Sequence, residues 1–362
     1  MDLAARIPAL LVAARVRLGG AGGPRDSLSK AELAAASKAV LRLHEGLVGE
    51  RALASADYLA EPALLAAYLL LWWPLTYAKA RGVLAEAGVR GRVLDLGAGP
   101  GPLALAALDA GATFALAVDR SAPALAAAVE VSRGAALETS VADFGVAPAR
   151  GKFDAILLGN LLNELAATTD ERAAALRKLA DAALAPGGVI VALDPALRST
   201  GRDLLEVRDR LVGSGFVALA PCIRQGPCPA LERARDWCHA GRPWTPPAHV
   251  VQLDTATGLD HASLKFSYLV LARTGERDAP ALRAGDLERF RVVSEPLPEK
   301  GKLRVFGCGE RGRVGLTRLE REAPEDDPLS RAVRGDVVRV GGATPKGDGL
   351  RLGPGAAVEV EA

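Results

Sequence analysis

RVLDLGAGPGPLALAALDAG, residues 92–111, is the stretch that decides the fold of this chain. Residues 92–96 are mostly aliphatic, which predicts a short buried strand. The glycines after it predict a tight turn, and residues 103–109 predict a helix that leaves the turn. Such a unit places unpaired backbone N–H groups where an anionic ligand can bind, and glycine lets that ligand approach the backbone closely.

The spacing of the glycines narrows the class of ligand. The run is Asp95-x-Gly97-x-Gly99-x-Gly101, which differs from the G-x-G-x-x-G dinucleotide fingerprint. No Lys-Ser or Lys-Thr pair follows, which excludes a nucleoside-triphosphate loop. The run resembles motif I of the S-adenosylmethionine-dependent methyltransferases of the Rossmann-like class. That resemblance implies S-adenosylmethionine as the cofactor.

Polar residues after the next predicted strands fit the same cofactor. Asp119 ends the second strand, where an acidic side chain would hold both ribose hydroxyls. The pair Asp143 and Phe144 follows the third strand and flanks the adenine in that methyltransferase class, and Asn160 follows the fourth strand. The predicted cofactor-binding residues are Asp95, Gly97, Gly99, Gly101, Asp119, Asp143, Phe144 and Asn160.

The wider pattern predicts an α/β fold with two additional domains. Alternating strands and helices over residues 87–275 predict a mostly parallel, doubly wound sheet of the Rossmann-like methyltransferase class, with its final strand antiparallel. Residues 1–86 predict a helical N-terminal domain. Residues 285–362 predict a small β-barrel, because short β-branched runs alternate with turn residues. The strands of the α/β domain are predicted at 92–96, 113–118, 137–142, 153–158, 187–194, 216–220 and 266–272.

Charge and hydropathy limit the possible partners. The net charge of +2 is uninformative, but residues 283–318 contain nine Lys or Arg and five Asp or Glu, so a polyanion is expected to contact the C-terminal part. Residues 62–78 carry no charge, yet Pro74 interrupts them, and a buried helix is predicted rather than a membrane span. Trp72 and Trp73, which directly precede Pro74, belong either to the core or to a lid over the cofactor. No targeting segment is evident, and we expect a cytoplasmic monomer without membrane contact.

All four cysteines of the chain point to a metal. Three of them lie within the long segment 221–265, which separates the last two strands of the α/β domain, and the fourth lies in FGCGERG, interpreted as a glycine-flanked turn. Proline and glycine neighbours argue against four unrelated buried thiols. The spacing leaves a structural zinc ion and an iron–sulfur cluster both open, with His239 as an alternative ligand. The candidate ligands are Cys222, Cys228, Cys238 and Cys308.

Taken together, these motifs resemble the mitochondrial and bacterial small-ribosomal-subunit methyltransferase-like family over nearly the whole chain. The matching segments are the glycine motif, GNLLNEL, APGG followed by LDP, the cysteine segment, FSYLVL and the late cysteine. The resemblance implies that the four cysteines hold a four-iron–four-sulfur cluster and that the protein binds the small ribosomal subunit and its rRNA during assembly. Arg224 stands where family members often have histidine.

Methyl transfer needs mainly the positioning of cofactor and acceptor, since it is an in-line displacement at a sulfonium. Acceptor-side candidates at the ends of the fourth and fifth strands are Asn160, Asn163, Glu164 and Asp194. Asn163 and Glu164 alternatively cap or orient the next helix. We find no convincing catalytic base, so catalysis stays open. A small-molecule methyltransferase and a non-catalytic RNA-binding assembly factor are the alternatives.

Overall fold

A computed structural model of the chain describes residues 2–20, 22–47, 49, 52–53, 57–143, 151–165 and 167–361. The helices are α1 (Leu3–Arg17), α2 (Lys30–Leu47), α3 (Pro62–Ala67), α4 (Trp73–Glu86), α5 (Pro102–Asp109), α6 (Ala122–Ser132), α7 (Thr169–Ala183), α8 (Arg198–Val212), α9 (Ala248–Thr257) and α10 (Pro328–Arg331). The strands are β1 (Gly91–Leu96), β2 (Ala112–Asp119), β3 (Leu137–Val141), β4 (Phe153–Gly159), β5 (Leu184–Pro195), β6 (Phe216–Ala220), β7 (Ala240–Pro243), β8 (Ser263–Arg273), β9 (Arg283–Ala284), β10 (Leu287–Val292), β11 (Leu297–Glu299), β12 (Lys302–Gly309), β13 (Gly312–Leu319), β14 (Val337–Gly341), β15 (Thr344–Lys346), β16 (Gly349–Leu352) and β17 (Ala357–Val360). None of the described helices is both long enough and apolar enough to span a bilayer.

The chain divides into two compact units that do not follow chain order. The first unit comprises Met1–Asp194 and Pro243–Leu264, and the second comprises Pro195–Arg242 and Lys265–Ala362. The long segment 221–265 therefore contributes to both units, and it contains an unpredicted helix, α9. This division is based on contacts between residues and does not test the three domains predicted from the sequence, which remain predictions.

The first unit is built on five parallel strands in the order β3-β2-β1-β4-β5. In the central register, Leu94 of β1 lies opposite Leu116 of β2 and Ile156 of β4, and all three are fully buried. Continuous apolar runs of this kind suit strands that are covered on both faces. The predicted α/β class with a parallel, Rossmann-like sheet is confirmed.

The uncharged stretch before this sheet is a buried helical segment, as predicted. Helix α3 continues through a π-helical turn, Tyr68–Trp72, into α4, and Leu69 is fully buried. Trp73 is also fully buried, donates its indole N–H to the carbonyl of Pro100 at 2.9 Å, and stacks on Tyr77 with ring centroids 5.2 Å apart. Trp73 therefore belongs to the core beneath the glycine turn and not to a lid.

The second unit contains the antiparallel pair β6–β8, as predicted for the final strand, and a second sheet. That sheet has the order β15-β16-β13-β12-β10-β14-β17, with β9 on β10 and β11 on β12. It is antiparallel except where β13 pairs with β16. Its strands share one apolar core that includes Phe290, Val305 and Leu316.

Cys308 lies within strand β12, and its interpretation as a turn residue is wrong. It pairs with Arg291 on one side and Arg313 on the other. The flanking glycines are needed for close packing, because a Cβ on Gly307 would lie 2.8 Å from Cβ of Phe290. The absence of a side chain at Gly307 leaves room for Phe290 to pack closely against the strand.

The basic segment 283–318 is largely neutralised by ion pairs. Several of its acidic partners lie outside the segment, so the sequence count overstates its positive charge. The cross-segment pairs are Arg289–Glu361 at 2.6 Å, Arg313–Asp236 at 3.8 Å and Arg318–Asp327 at 3.4 Å. Polyanion binding by this segment stays a prediction.

Candidate functional site

A cavity of about 340 Å³ opens at the carboxyl ends of the parallel strands in the first unit. This is where open α/β sheets bind ligands. Five of the predicted cofactor residues line it together. They are Gly97, Gly99, Asp119, Asp143 and Asn160. Phe144 lies outside the described residues, and Asp95 and Gly101 are not among the residues that line the cavity.

Backbone N–H groups at the glycine turn and at the start of α5 are already bonded within the protein at three positions. Gly99 donates to the carboxylate of Asp119 at 2.7 Å, and Ala104 of α5 donates to the carboxylate of Asp95 at 2.9 Å. The N–H of Gly101 donates to the carbonyl of Ala98 at 2.9 Å. The expectation of free N–H groups for an anionic ligand is therefore wrong at these positions. The chain's own carboxylates take the place that a phosphate would occupy.

Asp95 organises the turn from within the core. It is 1% exposed, and one carboxyl oxygen accepts the N–H of Ala104 near the start of α5. Burial raises the pKa of Asp95 to about 8, partly offset by that hydrogen bond, and the nearby Asp119 raises it further. A carboxyl with this pKa is mostly neutral below that pH, so Asp95 shapes the glycine turn through its hydrogen bond rather than through a full charge.

We expect Asp95→Asn to reduce the dependence of stability on pH. The folded pKa lies above the ordinary value, so the folded state binds more protons, and stability falls as pH rises between about 4 and 8. Asparagine keeps the hydrogen-bond acceptor and does not ionise. The free energy of unfolding of the variant should therefore exceed that of the wild type at pH 8 by about 1–3 kcal/mol. Urea unfolding at pH 5, 6.5 and 8 measures this.

Asp154→Asn is the matched control. Asp154 is exposed, and its carboxylate also accepts one backbone N–H, from Arg92 at 2.7 Å. An identical pH slope for wild type and Asp95→Asn would show that Asp95 is not the buried proton-binding group.

The cavity is rich in carboxyl groups. Asp57, Asp119, Asp143 and Glu164 are among the described lining residues, against one guanidinium, Arg120. Burial raises the pKa of Asp119, and Asp57 adds to this, while N–H donation from Ser121 and Gly99 opposes it. Such surroundings disfavour a pyrophosphate and favour a ligand that carries positive charge and hydroxyl donors.

Sequence reasoning missed the wall formed by the N-terminal segment. Tyr58, Leu59 and Tyr68 line the cavity, although they precede the glycine turn by about 30 to 40 residues. Burial, reinforced by Glu164, raises the pKa of both tyrosines well above the ordinary range, so their phenols are neutral hydrogen-bonding groups. The π-helical turn that begins at Tyr68 is a signal for this wall, because π-helical turns are frequent at functional sites. That signal is available only from the structure.

Asn160 has a strained backbone at the end of β4. Its φ of +57° is in the left-handed region, which is uncommon for a residue other than glycine. Its N–H donates to the carbonyl of Leu193 at 2.7 Å, and its carbonyl accepts from the amide of Asn163 at 2.8 Å. Asn163 also donates to buried Asp194 at 2.9 Å. Asn163 and Asp194 therefore hold Asn160 in a conformation that presents it to the cavity.

Helix α7 does not need Asn163 or Glu164 as a cap. It begins at Thr169, and Thr168 and Glu171 form a reciprocal capping box. Glu164 lines the cavity instead. Of the two roles predicted for this pair, helix capping is thus wrong.

All four cysteines line one small cavity in the second unit, of about 40 Å³. The first three come from loops that follow β6, and Cys308 comes from β12. Arg291 and Arg313 line the same cavity. His239 is outside its lining, with its ring 4.5 Å from that of Trp237.

All four cysteines are partly buried, and three of their thiols have a raised pKa. Burial, followed by the neighbouring Cys222, raises the pKa of Cys228 to about 12 and that of Cys238 to about 11, and it raises the pKa of Cys308 further. Within the described ranges, no group of three or more His, Cys, Asp or Glu side chains is arranged to hold a metal ion. A metal centre here would have to deprotonate the thiols on binding.

Comparison with known families gives a match over most of the chain. The family described as mitochondrial small ribosomal subunit Rsm22 matches residues 63–321. The matched range contains the glycine turn and all four cysteines. No curated protein is significantly similar in sequence.

Several solved methyltransferase structures are similar to part of the chain. Magnesium protoporphyrin IX methyltransferase from Synechocystis PCC 6803, with bound SAM, is 15% identical and aligns over 66% of this chain and 97% of its own, with a TM-score of 0.35. Ribosomal protein L11 methylase from Lactobacillus delbrueckii subsp. bulgaricus is 17% identical over 55% and 77%, with a TM-score of 0.34. At these TM-scores the fold assignment rests on the strand order of the chain itself.

Proposed function

Because the chain belongs to the Rsm22 family, described as mitochondrial small ribosomal subunit Rsm22, we propose that it is an S-adenosylmethionine-binding, iron–sulfur-containing protein that acts on the small ribosomal subunit. It would act as a cytoplasmic monomer during subunit assembly, with or without methylation of rRNA. The observation that carries the cofactor is the acidic cavity at the glycine turn. The observation that supports the cluster is that all four cysteines line one cavity.

S-adenosylmethionine suits the cavity because its charge and hydroxyl groups complement the lining. The cofactor carries a positively charged sulfonium, and the described wall contains four carboxyl groups. A carboxylate already bonds Gly99, which disfavours a cofactor that brings its own phosphates. In the proposed mode, Asp119 accepts from the ribose hydroxyls, Asp143 lies near the adenine, and Gly97 and Gly99 leave room for the rest of the molecule.

Asn160 is the residue that we assign to the acceptor side. Methyl transfer requires the acceptor atom in line with the carbon–sulfur bond, so holding that atom in place is the main contribution the protein makes. Asn160 lines the cavity, and its backbone is held by Leu193, Asn163 and, through Asn163, Asp194. Its amide would hydrogen-bond an acceptor and restrict its orientation.

An iron–sulfur cluster fits the residues around the second cavity. The donors are four thiols, with no carboxylate or imidazole among the residues that line it. The five and nine residues between successive cysteines of the first three do not follow the paired knuckles that structural zinc sites usually show. Four thiolates on irregular segments are typical ligands of a four-iron–four-sulfur cluster, which would supply a structural or electron-transfer centre. Cys222, Cys228, Cys238 and Cys308 would hold it.

We expect the tagged full-length protein to co-sediment with immature small subunits and to crosslink to their rRNA. Sucrose-gradient fractions probed for the protein, followed by sequencing of crosslinked RNA, measure this. A matched control is the same protein in extracts treated with ribonuclease. Absence from all subunit fractions would contradict the proposal.

A methyl-donor turnover assay separates the alternatives. Labelled S-adenosylmethionine is supplied with immature small subunits, total RNA or a metabolite extract. Label in rRNA supports a methyltransferase of the subunit, and label in a metabolite supports a small-molecule enzyme. Subunit binding without any label supports a non-catalytic assembly factor.

A further inference from the structure

Two adjacent residues of helix α8 hold the loop between the first two cysteines. The guanidinium of Arg208 donates to the carbonyl of Gly226 at 2.7 Å and to that of Arg224. The carboxylate of Asp209, which also pairs with Arg208, accepts the backbone N–H of Cys228 at 2.9 Å. Three backbone groups of one loop are thereby attached to one turn of a helix.

Arg208 is a buried cation close to the thiols. The residue is 2% exposed. Its two carbonyl partners, Arg224 and Gly226, each lie two residues from a cysteine, Cys222 or Cys228. Burying a cation is costly unless negative charge or hydrogen bonds compensate it. Asp209 and two loop carbonyls bond the terminal nitrogens of Arg208, which leaves its Nε–H group to be accounted for.

The Nε–H group of Arg208 is the donor that needs an acceptor. It is buried and has no hydrogen-bond partner within the part of the chain that the structure describes. Buried N–H groups are nearly always bonded, and an exception points to a missing water, ion or ligand. A sulfur atom of a cluster, which carries net negative charge, would be a suitable acceptor.

We propose that Arg208 and Asp209 are positioning residues for the iron–sulfur cluster, Arg208 by balancing its negative charge and bonding a sulfur, and Asp209 by fixing the backbone of Cys228. The inference rests on the cluster proposed above. Hydrogen bonds to the sulfurs and local charge are known to set the reduction potential of such clusters. Arg208 and Asp209 should therefore change that potential in opposite directions.

The chain offers a matched control on the same helix. Arg202 also donates to backbone carbonyls of the cysteine segment, at 3.1 Å to Ala230, 2.9 Å to Arg233 and 2.6 Å to Asp236. These carbonyls lie between Cys228 and Cys238 and not in the loop before Cys228. Arg202→Met thus removes a comparable set of bonds without removing the charge at Arg208.

The test uses full-length protein purified without oxygen, as wild type, Arg208→Met, Arg208→Lys, Asp209→Asn and Arg202→Met. Iron and sulfide content, the rate of iron loss to a chelator, and the midpoint potential from an electron paramagnetic resonance titration are measured. Arg208→Met should lose iron at least about 10-fold faster and have a more negative midpoint potential. Arg208→Lys should restore the potential. Asp209→Asn should make it less negative, because it removes a negative charge while asparagine still accepts the N–H of Cys228.

The outcomes separate this inference from the cluster itself. If the wild type holds the cluster, but Arg208→Met and Asp209→Asn have the same potential as Arg202→Met, the positioning role is wrong and the cluster stands. If Arg208→Met does not fold, the shift in Asp209→Asn decides the question alone. A wild type without iron would overturn both the cluster and the inference.

Discussion

Gly99→Arg is expected to reduce the affinity for S-adenosylmethionine by at least about 100-fold while the chain stays folded. Gly99 lines the cavity and has a φ of +53°, a conformation that costs a residue with a Cβ about 1–2 kcal/mol. A Cβ there would lie 3.4 Å from Cδ1 of Leu59, so a longer side chain has to extend into the cofactor space. A 100-fold loss corresponds to about 2.7 kcal/mol, which we attribute to the cavity volume that the arginine side chain takes, since backbone strain lowers stability and not affinity.

Calorimetric titration with S-adenosylmethionine and S-adenosylhomocysteine measures this effect. Gly88→Arg is the matched control, because Gly88 has a similar φ of +62° and no atom within 4 Å of an added Cβ. It reproduces the backbone strain and leaves the cavity intact, so its affinity should match that of the wild type. Wild-type affinity in Gly99→Arg would show that the cofactor does not bind at the glycine turn.

The Gly99→Arg variant also tests whether cofactor binding is needed for maturation of the small ribosomal subunit. If Gly99→Arg loses the cofactor but still enters immature small subunits and supports their maturation, the cofactor site is dispensable for assembly. If maturation fails although the protein still binds the subunit, the cofactor takes part in the function.

The second large effect is expected for Cys228→Ser. Wild-type protein purified without oxygen should contain about four irons and four sulfides per chain, and the variant should lose most of them together with the visible absorbance. Cys228 lines the cavity shared by the four cysteines, and its N–H is held by Asp209. Serine keeps the size of the side chain and removes the thiolate that ligates iron.

Val305→Ala is the control for destabilisation alone. Val305 is fully buried in the core of the second sheet, and removing its methyl groups should cost about 1–3 kcal/mol without removing a ligand. It should retain iron. One zinc per wild-type chain and no iron would replace the cluster by a structural zinc site. No metal at all would favour a small-molecule methyltransferase with a long lid.

Much of the sheet follows from local sequence. The glycine turn, the strands before and after it, and the antiparallel final strand were predicted at nearly their observed positions, because apolar periodicity and glycine act over a few residues. Helix α9 was not predicted, because no secondary structure was assigned within the segment 221–265. The turn predicted at Cys308 was wrong because the adjacent glycines serve packing against Phe290 and not chain reversal.

The candidate sites were likewise predicted from the sequence only in part. The sequence by itself determined the residue types of both sites, namely the glycines, the acidic residues after the strands and the four cysteines. Only the tertiary structure decided that Asp119 accepts the N–H of Gly99, that Tyr58 and Tyr68 line the same cavity as the glycine turn, and that Arg208 and Asp209 hold the cysteine loop. These contacts join residues 18 or more positions apart. Such pairs leave no periodic pattern along the chain, because packing and not local propensity brings them together.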